Sequence, residues 1–281
     1  MIRLLAIDID GTLLDTRGKI PPANVTAVAR AIEAGVEVVL ATGRRYEFAR
    51  AIFEQLPAPL TLILSNGAIV KTRDGGTIVR HLLPRGVALR VLRRTPAYHH
   101  CAAVLFDRPL EGQIVYETVD WEHPRHGGYF RANRRFISLV QPLERAVTED
   151  PLQIMFTGSC ADMRTLHGLL VERDAADFAI TLTEYESRDF ALVDVIRAGC
   201  SKGSALRELA RVRGIERESV MAIGDNLNDL PMLEFAGLPV VMANGVGALR
   251  ARGWASAPSN DLAGVAAAIG TYILDGASIE R

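Results

Sequence analysis

Short apolar runs alternate with helical patterns along the first eighty residues of the chain. Residues 2–7 read as a buried strand, 36–41 as a second, β-branched one and 60–64 as a third. Between the first two, Val25, Val28, Ala29 and Ile32 recur at helical spacing, with Pro21 and Pro22 suited to a first turn and Gly35 placed to close it. Residues 45–56 predict another helix, and Asp74-Gly75-Gly76 predicts the tip of a hairpin between 68–71 and 77–83. Strands that alternate with helices in this way predict a parallel sheet whose crossovers are helical.

The pattern changes at Pro84. A helix is predicted at 87–94, strands at 102–106, 114–119 and 152–156, a helix at 161–171, and strands near 178–182 and 191–196. That is an α+β sheet with helices on one face. After Cys200 the earlier rhythm returns: a helix over 203–213 ended by Gly214, a strand at 220–223, a helix over 230–236 ended by Gly237, a strand at 238–242 and a final helix over 262–274. The simplest organisation is one α/β domain, residues 1–83 and 199–281, interrupted by an inserted domain of residues 84–198.

Composition narrows the function. The 281 residues carry 32 Lys plus Arg against 33 Asp plus Glu, a net charge of -1, so no general attraction for nucleic acid or an anionic membrane is expected. Cys101, Cys160 and Cys200 are far apart and read as reduced thiols, and the six histidines have no metal-ligand spacing. No run approaches the ~18 apolar residues of a membrane span, and the N-terminus lacks a signal-peptide pattern, so a cytoplasmic location is expected. The basic and aromatic segment 125–131 is a candidate for gripping a substrate, with a solvated loop as the alternative.

In an open parallel sheet, ligands bind beyond the carboxyl ends of the strands, so those ends are read as one group. They carry Asp8-Ile9-Asp10-Gly11-Thr12, Thr42-Gly43-Arg44, Ser65-Asn66-Gly67 and Gly224-Asp225-Asn226-Leu227-Asn228-Asp229. Asp8 and Asp10 leave one strand toward the same side, and Asp225 and Asp229 approach from another. Carboxylates converging there would repel one another unless a hard divalent cation lies among them, and all-oxygen ligation favours Mg²⁺. A carboxylate beside Mg²⁺ can attack phosphorus. Thr42, the amides of Gly11 and Gly43, and Lys202 at the start of a predicted helix would supply donors to a phosphoryl group. Asp229 could instead cap the helix that begins at Leu230.

Together with Ser201-Lys202-Gly203 and the continuation Leu230-Pro231-Met232-Leu233, these motifs resemble the haloacid dehalogenase superfamily, specifically its Cof-type phosphatases, whose large cap is inserted between the second and third motifs. The resemblance implies a Rossmann-like parallel-sheet core with an inserted α+β cap that sets specificity. It implies that Asp8 is the nucleophile and Asp10 the general acid and then base, and that Thr42 and Lys202 bind phosphate. Mg²⁺ would be held by the Asp8 carboxylate, the Asp10 backbone carbonyl and Asp225. Asn228 would touch phosphate or Lys202, Asp229 would support the metal or Lys202, and Asn66 and Gly67 would shape the pocket. Two departures stand out: Met242-Ala243-Asn244-Gly245 replaces the family's Met-Gly-Asn-Ala, and Asp261 stands alone where an acidic pair is usual. The expected activity is hydrolysis of a small phosphorylated metabolite, of the sugar phosphate, nucleotide or flavin, or pyridoxal phosphate class, by a monomer or homodimer. A phosphomutase and a non-catalytic phosphometabolite-binding module are the alternatives.

Overall fold

The computed structural model describes residues 1–123, 127–174, 177–186 and 189–275. The chain divides into two compact units, a core unit made by residues 1–80 together with those from 200 onward, and an inserted unit, His81–Gly199.

The chain opens in the core unit with β1 (Leu4–Asp8), α1 (Pro22–Glu33), β2 (Glu37–Ala41), α2 (Tyr46–Phe53), β3 (Thr61–Leu64), β4 (Ile69–Thr72) and β5 (Thr77–Arg80). The inserted unit follows with α3 (Arg85–Arg94), β6 (Ala102–Leu105), β7 (Ile114–Tyr116), α4 (Gly127–Ala132), β8 (Ile137–Leu139), β9 (Gln153–Gly158), α5 (Cys160–Asp174), β10 (Phe178–Tyr185) and β11 (Phe190–Arg197). The core unit resumes with α6 (Lys202–Val212), β12 (Val220–Gly224), α7 (Leu230–Phe235), β13 (Leu238–Met242), α8 (Gly247–Arg250), β14 (Ala255–Ala257) and α9 (Gly264–Ile269).

The core sheet runs β14-β13-β12-β1-β2-β3-β4-β5, parallel from β14 to β3, with the β4–β5 hairpin added antiparallel. Every residue of β1 is buried, as a central parallel strand covered on both faces requires. Leu4 and Ala6 join the cluster that includes Leu206 and Leu209 of α6 and Met232 and Leu233 of α7. Close approach demands small residues here. A side chain on Gly203 would strike the Pro231 backbone, so α6 and α7 meet with nothing between them.

The inserted sheet runs β10-β11-β9-β6-β7-β8, antiparallel except between β7 and β8. Alternate residues feed two cores. Val104, Val115, Ile154, Phe156 and Val193 face α3 and α5, whereas Ala103, Leu105, Ile114, Tyr116 and Met155 lie beneath Trp121, Tyr129, Phe130 and Phe136. The expected helices on one face are therefore joined by the short α4 on the other. Of the segment 125–131, residues 125 and 126 lie outside the described ones. Tyr129 and Phe130 pack on the sheet, Phe130 edge-on to Tyr116 with centroids 5.5 Å apart.

Three further differences are local. The strand predicted over 77–83 stops at Arg80, and the three-residue β8 and β14 are too short to carry a period. The final helix begins only at Gly264, because Ala263 adopts a left-handed conformation at φ 53. All three cysteines are free thiols, and no helix among the described residues is long and apolar enough to cross a membrane.

Candidate active site

The parallel register sets neighbours at the carboxyl end of β1. Asp8 is level with Ala41 of β2, and Ile7 is level with Ile223 of β12. Thr42 and Asp225 are thus the first residues beyond strands on either side. The chain turns sharply after β1, with Leu13 and Leu14 donating backbone hydrogen bonds to Asp8 and Ile9. Gly11 makes this possible at φ 89, and a side chain there would occupy the position of the Asp225 carboxylate.

Lys202 enters from the first turn of α6, whose start is fixed by a reciprocal Ser201–Ser204 capping box. Its Nζ donates to Asp8 Oδ1 and to Asp229 Oδ1, each at 2.6 Å, and the side chain is wholly buried. Asp229 is held on its other side, where Oδ2 accepts the backbone N–H groups of Asp225 at 2.9 Å and Asn226 at 3.0 Å. It caps the turn before α7 rather than α7 itself. Gly224 leaves the space, because a Cβ there would meet the Asp229 side chain. Thr12 Oγ1 donates to Asp225 Oδ1 at 2.8 Å.

Asp8, Asp225 and Asp229 each offer a carboxylate oxygen within 4.8 Å of the other two, all buried. Burial, the Asp229 charge and that of Asp225 push Asp8 well above its ordinary range, against the pull of Lys202. Burial and then Asp229 push Asp225 up to about 7. Burial would lower the Lys202 ammonium, but Asp229 and Asp8 more than reverse that and hold it above its ordinary value. Three carboxylates facing one ammonium leave an excess of buried negative charge. This arrangement fits a divalent cation, and its oxygen-only donors fit a hard one.

Asp10 stands apart from that cluster. Arg44 clamps it bidentately, Nε to Oδ2 at 2.7 Å and Nη2 to Oδ1 at 2.6 Å. The Arg44 amide also donates to Thr42 Oγ1 at 3.1 Å, so the buried Thr42 hydroxyl keeps its own hydrogen to give. Asn66 takes the left-handed conformation at φ 52, and its amide bonds to the Thr42 carbonyl. Asn228 Nδ2 donates to Asn66 Oδ1 at 3.2 Å. A side chain on Gly43 would press on the Asn66 amide, and one on Gly67 would strike the Ser201 carbonyl, so both glycines serve close packing around this end of the sheet.

Of the residues expected at the site, Asp8, Lys202, Asp225 and Asp229 come together and Asp10 is held by Arg44, whereas the described part of the segment 125–131 lies in the inserted unit. Arg44 and Thr12 lie within the strand-end motifs, and only their partners in space give each a role. Asn244 is a third such residue. Its Nδ2 donates to the Gly11 carbonyl at 2.8 Å while its Oδ1 accepts from the Asn260 amide at 2.9 Å, so the altered Met242–Gly245 loop still ties down the turn after β1. Asp261, the lone acid, accepts from both the amide and the hydroxyl of Thr16 at 2.9 Å.

The fold and this group of side chains define a hydrolase with a buried aspartate at the end of its first strand, and a model of the haloacid dehalogenase-like hydrolases matches residues 5–269. The chain belongs to that family, as an enzyme of its phosphatase branch. It is 28% identical over 264 residues to the pyridoxal phosphate phosphatase of Escherichia coli K12, covering 89% of this chain and 91% of that one. It is 30% identical over 254 residues to the HMP-PP phosphatase of Serratia proteamaculans, covering 89% and 87%. Among solved structures it is similar to a haloacid dehalogenase-like hydrolase from B. subtilis, with a TM-score of 0.81 at 23% identity, over 97% of this chain and all of that one.

Proposed function

We propose that the protein is a Mg²⁺-dependent phosphatase of small phosphorylated metabolites that works through a phosphoryl group carried on Asp8. The observation that carries this reading is the Asp8–Lys202–Asp229 contact, 2.6 Å on each side, beside Asp225. Asp8, Asp225 and the backbone carbonyl of Asp10 are the ligands proposed for the cation, which when bound neutralises the carboxylates and draws negative charge from the phosphoryl group.

Lys202 fixes the Asp8 carboxylate so that its other oxygen is free to attack, and it offsets charge that builds up on the transferring oxygens. In the first step an Asp8 oxygen bonds to phosphorus as the bond from phosphorus to the alcohol oxygen breaks, with Asp10 giving that oxygen its proton. In the second, Asp10 takes a proton from water as the water oxygen attacks phosphorus and the Asp8–phosphorus bond breaks. The Thr42 hydroxyl donates to a phosphoryl oxygen, Asn228 and the amides of Gly11 and Gly43 contribute further donors, and Asn66 and Gly67 line the site. Arg44 holds both Asp10 oxygens and so positions the carboxyl, and one prong of the clamp opens when Asp10 gives or takes its proton.

The relatives support the substrate class, because those named above act on pyridoxal phosphate and on HMP-PP. The test is phosphate release from a panel of phosphorylated metabolites with Mg²⁺, using wild type and Asp8→Asn, with EDTA as a control. Selective release that is lost in both controls is the expected result. Tight binding without release from any member would overturn the reading in favour of a binding module, and transfer to a second sugar hydroxyl would overturn it in favour of a mutase.

A further inference from the structure

The inserted unit holds a second group of potential ligands. His99 in the turn Pro96–Cys101, Glu117 just after β7 and Glu144 in the turn Leu143–Ala146 each offer a ligand atom within 4.8 Å of the other two. They are far apart in sequence. The His99 and Glu117 side chains are only 12% and 14% exposed.

The hydrogen bonds around His99 leave a gap in the accounting of charge. Its Nε2 lies 2.9 Å from the Leu92 carbonyl oxygen, which can only accept, so Nε2 carries the hydrogen of that contact. Nδ1 then faces Glu117 Oε1 at 3.1 Å with a lone pair, unless something positive lies between them. A proton on Nδ1 would satisfy this pair. It would not satisfy Glu144, whose Oε2 is buried without a hydrogen-bond partner among the described residues. Glu117 Oε1 is also held from behind, accepting the Leu143 amide at 2.7 Å, so the carboxylate is fixed in place. An imidazole that donates its outer N–H to a backbone carbonyl and turns its other nitrogen toward carboxylates has the orientation of a metal-bound histidine. One divalent cation would meet the Nδ1 lone pair and neutralise both glutamates, which a single proton cannot do.

We propose that His99, Glu117 and Glu144 form a divalent-cation site of the Zn²⁺ class in the inserted unit, separate from the carboxylate cluster of the core. One imidazole with two carboxylates is a donor set that suits Zn²⁺, with a water completing four-coordination. Tetrahedral bonds of ~2.0–2.2 Å would space the ligands by roughly 3.4 Å, close to the His99–Glu117 separation and reached for Glu144 by a small side-chain movement. The bound ion ties three chain segments together around β7 and stabilises the inserted unit in proportion to its occupancy.

Equilibrium dialysis of the full chain against Zn²⁺, in a large excess of Mg²⁺, tests the proposal. Wild type and Asp225→Asn are each expected to retain one Zn²⁺ per chain, whereas His99→Ala and Glu144→Gln weaken retention by more than about 100-fold, since even partners outside the ligand set cost ~10–100-fold. Circular dichroism without Zn²⁺ checks that both variants fold. In wild type, the ring ¹⁵N signal of His99 Nδ1 should move on adding Zn²⁺ while Nε2 keeps its proton. Absence of retained Zn²⁺ in wild type, retention lost in Asp225→Asn but not in Glu144→Gln, or a His99 ring doubly protonated and indifferent to Zn²⁺ would each overturn the assignment.

Discussion

The core unit and the inserted unit each gather acidic side chains, by different means. In the core, β14, β13, β12, β1, β2 and β3 run parallel, so their carboxyl ends share one edge and the residues following them converge. Two short stretches, 8–12 and 224–229, thus supply all three buried carboxylates of the main cluster. In the inserted unit most neighbouring strands run antiparallel, and successive strand ends fall on opposite edges. His99, Glu117 and Glu144 come singly, from two turns and a strand end. Parallel topology concentrates chemistry into motifs, whereas antiparallel topology assembles it from isolated residues.

Substitutions should separate the two regions sharply. The largest effect is expected from Asp8→Asn, which should lower kcat by about 10⁴-fold or more, as loss of a nucleophile does, with circular dichroism unchanged. Lys202→Met leaves Asp8 and Asp229 buried without their cation and should cost about 3–5 kcal/mol in urea unfolding without added metal. At the inserted unit's surface, Glu149→Gln removes the partner of Arg108 in a pair whose side chains are 57% and 33% exposed, and should cost less than about 1 kcal/mol. Comparable losses for the two would erase the distinction between buried and exposed charge.

The core cluster also predicts a pH dependence. Asp225 is raised from 3.8 to about 7 in the folded protein, so the metal-free native state binds the proton more tightly than the unfolded chain does. Its stabilising contribution is complete below pH ~4 and is lost as pH rises through about 7, up to roughly 4 kcal/mol at about 1.4 kcal/mol per pKa unit. Urea unfolding in EDTA across that window should show wild type losing stability relative to Asp225→Asn, and Mg²⁺ should restore it above pH 7. Parallel curves for the two proteins would contradict the electrostatic account. A smaller effect is expected from Arg44→Ala. Freed from its clamp, Asp10 should lower kcat by about 10²-fold with KM little changed, and Arg44→Lys should rescue it only in part, since it cannot restore the two-pronged geometry.

Much of the core unit was legible because its cues are local. Pro22 at the start of α1, Gly35 after it and the continuous apolar run of β1 each speak for their own segment. Asp8, Asp10, Thr42, Asp225 and Asp229 are legible for the same reason, lying in short motifs at strand ends, whereas Lys202 begins α6. What escaped notice depends on distance: Thr12 meets Asp225 across 213 residues and Asn244 meets Gly11 across 233, and no spacing rule reports such pairs. Gly11 and Gly67, expected at the phosphate pocket, also leave space that Asp225 and Ser201 need. In the inserted unit, the packing of Tyr129 and Phe130 on the second face of the sheet is likewise beyond any spacing rule.

The central claim is that Asp8 becomes phosphorylated during turnover. Quenching the enzyme in the steady state, reducing it with borohydride and mapping the peptides by mass spectrometry tests it directly, because an acyl phosphate is reduced where a free carboxylate is not. The account predicts homoserine at position 8 in wild type with substrate and Mg²⁺, and none with EDTA or in Asp8→Asn. Steady turnover with Asp8 unmodified, or the label at Asp10, Asp225 or Asp229, would contradict it.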